Sequence, residues 1–276
     1  MRTIVTLRLK QAPDLPVEAE SLIPSNAGNK SLDAIYALPL LYGNRNICVG
    51  DFFSGELETV AGEGVSLHLQ GDLTRFKRIG QEMNSGDLVV DGSVGFHAGA
   101  AMRNGRLTVR GNAGDWLGAH MRGGLIVVEG NAGHSIGAAY RGKTNGMNGG
   151  TILVHGNAGQ MAGAKMRRGI IAVAGSCLDA LGYQMNAGTI LVMGAAGRRI
   201  GAGMRRGTII FFYPADLMPT FYRNCDYLPT YWGLLYRELQ SYGFPMDESH
   251  QNIVFTRYSG DALAGGKGEV LIGGRT

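Results

Sequence analysis

The sequence predicts an all-β fold: a single-stranded, right-handed parallel β-helix of about seven or more glycine-cornered coils, with an N-terminal cap and a small α-containing C-terminal cap. Two observations predict it. Glycines recur every 19 residues, at Gly92, Gly111, Gly130, Gly156, Gly175 and Gly194, with one interval of 26 and an earlier unit opening at Gly71. Between them run short apolar alternations such as Leu107-Thr108-Val109, Leu125-Ile126-Val127-Val128 and Ile190-Leu191-Val192. These are too short for helices and have the composition of strands. A fixed period of this length marks a stack of units. A five-residue strand covers roughly 17 Å, so one unit holds two or three short strands and their corners.

The elements follow in order. Residues 1–42 form the N-terminal cap, opening with a strand-like alternation after Met1-Arg2-Thr3. Residues 43–212 form the glycine-rich helix, of which 43–70 supply one or two irregular coils and 71–212 about seven regular ones. Each unit carries a second glycine at position 8 (Gly99, Gly118, Gly137) and a third at position 14 (Gly105, Gly124, Gly150). These are assigned to corners, because glycine takes positive φ without strain. The long interval is read as an insertion at Lys143–Gly149. A stack needs its open ends covered, so residues 213–276 form the C-terminal cap and tail, with a helix at Tyr231–Leu239.

Two columns in the unit carry the functional reading. Position 11 reads Met83, Met102, Met121, Tyr140, Met166, Met185, Met204, and position 12 reads Asn84, Arg103, Arg122, Arg141, Arg167, Asn186, Arg205. Adjacent side chains of an extended segment point to opposite faces, so the methionines are expected in the core and the arginines outside. Residues 71–212 hold 16 Lys and Arg against 7 Asp and Glu, while the whole chain is only +4. Neighbouring arginines at a coil spacing near 4.8 Å repel by about 0.8 kcal/mol even in water. Lys165, Arg168 and Arg206 add charge beside the column. Three readings fit: guanidinium groups bonded to backbone carbonyls or simply hydrated, a docking track for a flexible polyanion, or a surface for an acidic partner protein. Nucleic acid is not expected, since its grooves call for more lysine and interleaved aromatic residues.

Catalytic chemistry is not visible. The six histidines, His68, His97, His120, His134, His155 and His250, lack H-x-H or H-E-x-x-H spacing and read as structural, with His120 placed closest to the arginine face. No G-x-S-x-G elbow occurs. Asp87, Asp91 and Glu129 are expected to balance Arg106 and Arg110. Cys48, Cys177 and Cys225 have no metal or disulfide spacing and are expected as buried thiols. With no catalytic residue, metal site or apolar run of 18 residues, the chain reads as non-membrane and cytoplasmic.

The repeat G-N-A-G-x-x-x-G-A-x-M-R-x-G-x-I-x-V-x-G, seen at Gly111–Gly130 and Gly156–Gly175, resembles the glycine-rich domain shared by the C subunit of formylmethanofuran dehydrogenase and the glutamate synthase large subunit. The resemblance covers residues 43–255 and is nearest to the C subunit of the formyltransferase/hydrolase complex of methylotrophic bacteria. It implies a structural subunit without its own active site in a cytoplasmic assembly of four different polypeptides. Formyltransferase-like, amidohydrolase-like and dehydrogenase-B-like partners would convert formyl-tetrahydromethanopterin to formate through a methanofuran-like carrier, in formaldehyde oxidation. No cofactor is expected on this chain's own chemistry. The carrier's polyglutamate tail would lie along Arg103, Arg122, Arg141, Lys165, Arg167, Arg168 and Arg205. The alternatives are the C subunit of a molybdenum or tungsten formylmethanofuran dehydrogenase, and a glutamate synthase-like module. A β-helix polysaccharide lyase would show calcium-binding aspartates, which the arginine face lacks.

Overall fold

A computed structural model describes residues 2–274, so the outermost residues of both expected caps lie outside the described residues. The strands, in chain order, are β1 (Arg2–Leu9), β2 (Val17–Glu18), β3 (Pro39–Tyr42), β4 (Arg45–Cys48), β5 (Phe53–Val60), β6 (Gly64–Gln70), β7 (Phe76–Lys77), β8 (Asp87–Asp91) and β9 (Arg106–Val109). They continue as β10 (Leu125–Val128), β11 (Asn148–Val154), β12 (Arg168–Val173), β13 (Thr189–Val192), β14 (Thr208–Phe211), β15 (Arg223–Tyr227), β16 (Phe255–Ser259) and β17 (Glu269–Gly273). The helices are α1 (Pro24–Ala27), α2 (Leu32–Tyr36), α3 (Val49–Phe52) and α4 (Trp232–Ser241).

One 13-stranded sheet dominates, in the order β15-β16-β17-β14-β13-β12-β11-β10-β9-β8-β6-β1-β5. It is parallel from β1 to β17 and antiparallel only at its edges, in the pairs β1–β5, β15–β16 and β16–β17. A smaller sheet, β4-β3-β2-β7, sits beside its N-terminal part. The repeat appears directly in the pairing. Leu107, Ile126, Ile152, Ile171, Ile190 and Ile209 are successive partners in the large sheet. Leu73, Val94, Ala113, Ala132, Ala158, Cys177 and Ala196 form a second parallel ladder, so seven units lie in register one above another.

The G-N-A-G motif is explained by that ladder. Its alanine is the bridging residue, and its asparagine or serine makes a hydrogen-bonded column. The Ser93 hydroxyl accepts from Asn112 N–H at 3.0 Å, and Asn112 Oδ1 from Asn131 N–H at 2.8 Å. Asn131 and Asn157 repeat the bond at 2.8 Å each, and Ser176 ends the column at Ala195. These side chains satisfy backbone donors that the turn leaves without a strand partner.

Glycine is required where coils touch. A Cβ on Gly124 (φ +85°) would stand 2.7 Å from the Gly105 carbonyl oxygen, and one on Gly118 would stand 2.5 Å from Ile152 Cδ1. Positive φ extends beyond the predicted glycine corners. His97, Trp116, Ser135, Met161, Ala180 and Arg199 form one column at φ 59–64°, and Ala101, His120, Lys165 and Gln184 another at 51–57°. The glycine pattern therefore marks the points where a Cβ would strike the neighbouring unit, whether left-handed as at Gly124 or not as at Gly111 and Gly130.

The core lies between the large sheet and the bridge ladder. Leu107, Val109, Ile126, Val128, Ile152 and Val154 face inward with the methionine column, all at 0% exposure. The outward apolar residues Val127, Leu153, Ala172, Leu191 and Ile210 are covered by α4 through Trp232, Leu235, Tyr236 and Leu239. That i, i+3, i+4, i+7 spacing is one helical face. The expected helix is thus present, but it packs along the outer face of the sheet. Phe221 and Asp261 meet the end of the stack, where the Asp261 carboxylate accepts Gly203 N–H at 2.8 Å. The N-terminal segment likewise contributes β1 to the large sheet, between β5 and β6.

Of the cysteines only Cys177 is buried, its thiol pushed up to about 12 by desolvation; Cys48 and Cys225 are exposed, against expectation. Neither has a repeat column to hold it inside.

Gly124→Ala is expected to destabilise the chain by about 2–4 kcal/mol, through strain at positive φ and contact with the coil below. Gly233→Ala, with nothing within 4 Å of the added Cβ, should be neutral or stabilising by up to about 1 kcal/mol. Urea denaturation of both variants checks the contrast.

Candidate functional site

The register of the stack decides which arginines share a column. Met83, Met102, Met121, Met166, Met185 and Met204 are fully buried, as expected, but Tyr140 is not their equivalent. Met147 is. Asn148 N–H donates to the Met121 carbonyl at 2.7 Å and Arg167 N–H to the Met147 carbonyl at 2.8 Å, repeating the bond from Arg122 N–H to Met102. The insertion is therefore Tyr140–Gly146, and the outward column reads Asn84, Arg103, Arg122, Asn148, Arg167, Asn186, Arg205. Arg141 stands on the inserted loop, so the expected run of three adjacent arginines is broken. Methionine fills the dry slot because tyrosine would bury a hydroxyl there at a cost of roughly 1–3 kcal/mol without a partner.

The column leads into a cationic groove. Two hollows of about 440 and 520 Å³ flank Asn186. Lys165, Gln184 and Arg205 line the first, with Thr144 and Asn145 of the inserted loop as one rim. Arg167, Arg168 and Arg206 line the second. The structure thus brings together Lys165, Arg167, Arg168 and Arg205, while Arg103 and Arg122 lie farther along the column beyond Asn148. Gln184, Asn186, Thr144 and Asn145 were not singled out as ligands by the sequence; a run of uncharged amides carries no charge signal.

The electrostatics of the groove are uncompensated. Lys165 donates to the Lys143 carbonyl at 3.1 Å. Arg103 faces Glu82 at 3.7 Å. Among the described residues, Arg122, Arg141, Arg167, Arg168, Arg205 and Arg206 make neither an ion pair nor a side-chain hydrogen bond. Their guanidinium groups are exposed. The reading in which they bond neighbouring carbonyls does not describe them. Elsewhere Arg110 pairs with Asp91 at 2.8 Å as expected, whereas Asp87 pairs with Arg2 and not with Arg106.

The inserted loop is latched to the stack by aromatic contacts. The Tyr140 ring centroid lies 5.4 Å from His97, 5.1 Å from Trp116 and 4.8 Å from His120. Its hydroxyl is 3.0 Å from His97 Nδ1, and its N–H donates to His120 Nε2 at 2.9 Å. His120 is therefore neutral at that nitrogen. Burial, then Lys143 and Arg122, holds His120 below the usual histidine value of 6.5. Burial, then Arg78 and Lys77, does the same for His97 against the opposing pull of Glu18 and Asp115. The Tyr140 phenol is raised by burial. His134 Nδ1 accepts from Gln160 N–H at 2.9 Å and His250 Nδ1 lies 2.7 Å from Asp247, so each has a structural partner.

Among the described residues, no group of three or more His, Cys, Asp or Glu is placed to hold a metal, and no helix is long and apolar enough to cross a membrane.

The sequence profile of the GXGXG motif matches residues 73–227. The chain is 38% identical over 98 residues to the C subunit of the tungsten-containing formylmethanofuran dehydrogenase 2 of Methanothermobacter marburgensis, covering 35% of this chain and 36% of that one. It is 39% identical over 99 residues to the C subunit of the molybdenum-containing formylmethanofuran dehydrogenase 1 of Methanosarcina barkeri, covering 34% and 31%. The aligned stretch is about a third of the length of these relatives. A crystal structure of the formyltransferase/hydrolase complex from Methylorubrum extorquens, in complex with methylofuran, contains a chain that superposes with a TM-score of 0.86 at 34% identity. That superposition covers 98% of this chain and 100% of that one.

Both histidines titrate lower in the folded chain than when unfolded, so the unfolded state binds more protons as pH falls. Their contribution is fully present above about pH 6.5 and drains away below it. The urea midpoint is expected to fall between about pH 7 and pH 5.5, and His97→Asn with His120→Asn should flatten that slope.

Proposed function

This chain belongs to the family of formylmethanofuran dehydrogenase C subunits, and on that premise we propose that it is a scaffold subunit of a formyltransferase/hydrolase assembly. The observation that carries the choice is the end-to-end superposition on a chain of such a complex, against partial alignments to the dehydrogenase subunits. In this reading the stacked units form a right-handed parallel β-helix over residues 43–212, with residues 1–42 and 213–276 as caps. Partner subunits of formyltransferase, amidohydrolase and dehydrogenase-B type carry the chemistry. They take formyl-tetrahydromethanopterin to formate in the cytoplasm through a methanofuran-like carrier. This chain supplies no active site.

Its contribution to that sequence is to hold the carrier. A glutamate-rich tail is a flexible polyanion, and the groove offers the exposed Arg167, Arg168, Arg205 and Arg206 with the half-buried Lys165, cations that no carboxylate of the described chain neutralises. Asn186 and Gln184 add amide donors between them. Arg103, Arg122 and Arg141 lie outside the groove and would extend the field along the tail. Exposed charge pairs contribute little singly, about 0–1 kcal/mol each, so retention comes from several at once. A tail held there while its formyl-bearing end moves between partner sites keeps that end at an effective concentration in the millimolar range.

The dehydrogenase reading is favoured by the names of the partial relatives. Metal analysis of the native assembly separates the two, since molybdenum or tungsten in stoichiometric amount would move the chain to the dehydrogenase branch.

Replacing Lys165, Arg167 and Arg205 together by Gln is expected to lower carrier retained in the purified assembly several-fold at low ionic strength, as read by mass spectrometry. Wild-type retention should collapse in a wash near 1 M salt, where the screening length is about 3 Å. Equal retention in variant and wild type at every salt concentration would remove the docking role.

A further inference from the structure

The large sheet ends on one side at β5, whose second edge has no partner strand. Its register with β1 pairs Gly55 with Leu7, Leu57 with Val5 and Thr59 with Thr3. The direction of the free backbone groups follows from one contact. Gly55 N–H donates to the Tyr36 hydroxyl at 2.7 Å, and that hydroxyl donates to the Gly55 carbonyl at 3.2 Å. The polar groups of Gly55 therefore point away from β1. In an antiparallel pair that orientation recurs every second residue, so Leu57 and Thr59 aim their N–H and C=O groups outward too. Among the described residues nothing hydrogen-bonds to them there.

This edge is only partly protected: Tyr36 caps Gly55, and Glu56 and Glu58 supply charge, while the backbone beyond Gly55 stays open. β5 is eight residues long with no proline and no bulge, whereas the opposite edge strand, β15, is shorter and has a register shift between Arg223 and Cys225. Long unprotected edges recruit strands. Leu57 and Val60 are 37% and 38% exposed, on opposite faces of the strand. The charge is equally distinctive. Residues 46–74 carry five acids, Asp51, Glu56, Glu58, Glu63 and Asp72, and no lysine or arginine, in a chain of net charge +4. Glu56 is paired with Arg8. Glu58 has no ion pair among the described residues.

We propose that the free edge of β5 accepts an extended strand, alternating basic and apolar residues, from a different polypeptide. Main-chain bonds to Leu57 and Thr59 would supply affinity, and the side-chain alternation specificity, as in strand addition generally. A basic residue would face Glu58, since Glu56 is already paired with Arg8, and the apolar ones would extend the face of Leu57. A second copy of this chain is disfavoured, because edge-to-edge pairing of two β5 strands sets glutamates against glutamates. The proposal stands whether or not the groove holds a carrier.

Amide hydrogen exchange on the isolated chain and on the native assembly tests it, together with zero-length carbodiimide coupling. The amides of Leu57 and Thr59 should exchange at least tenfold more slowly in the assembly. Coupling should join Glu58 to a lysine in an extended segment of another polypeptide. Thr59→Pro removes one outward N–H without touching the β1 ladder, a change that edge strands tolerate, and should abolish that cross-link. Glu58→Lys should lower retention in the assembly with the thermal midpoint unchanged, keeping the test valid if the proline variant misfolds. Equal exchange in both states, coupling of Glu58 to a second copy, or full retention of Glu58→Lys would each overturn the proposal.

Discussion

Everything in this chain depends on how closely one coil can lie on the next. Parallel strands pair at about 4.8 Å, and at that spacing the corners of neighbouring units meet backbone to backbone. The Gly92 position would place a Cβ 2.0 Å from the Gly71 carbonyl oxygen, and Gly111 repeats the approach against Gly92. Removing the side chain at these points lets the Asn and Ser column, the bridge ladder and the methionine core all form at the same period. One substitution there disturbs three sets of contacts together, which is why the glycines recur with so little freedom.

That constraint also explains how much was legible. The 19-residue period, the apolar strands and the inward methionines could be read because each is repeated, and a repeated residue reports the environment common to all units. The insertion was misplaced because Tyr140 and Met147 both follow an acceptable spacing. The distance back from the position-14 glycine, Met147 to Gly150 as Met102 to Gly105, was the signal that separates them. The left-handed columns at His97, Trp116 and Lys165 gave no signal, since residue type there is set by the surface they face and not by backbone geometry. The helix was legible, but its place was not; nothing in Trp232–Ser241 says which apolar surface it covers.

For the site, charge was legible and enclosure was not. Arg103, Arg122, Arg167 and Arg205 stood out as a column. That Lys165 joins Arg205 in a hollow rimmed by Thr144 and Asn145 depends on the loop folding back, which follows from Tyr140 docking among His97, Trp116 and His120. A regular stack thus gains a distinctive surface at the unit that carries the insertion. The groove's cations and the acids near β5 divide the chain electrostatically.

The central claim is that the chain works as a subunit among transferase- and hydrolase-type partners. Native mass spectrometry of the assembly purified from its host tests this most directly. The account predicts one particle containing this chain with formyltransferase-like, amidohydrolase-like and dehydrogenase-B-like polypeptides. Recovery of the chain alone, or with molybdopterin and iron–sulfur subunits in their place, would contradict it.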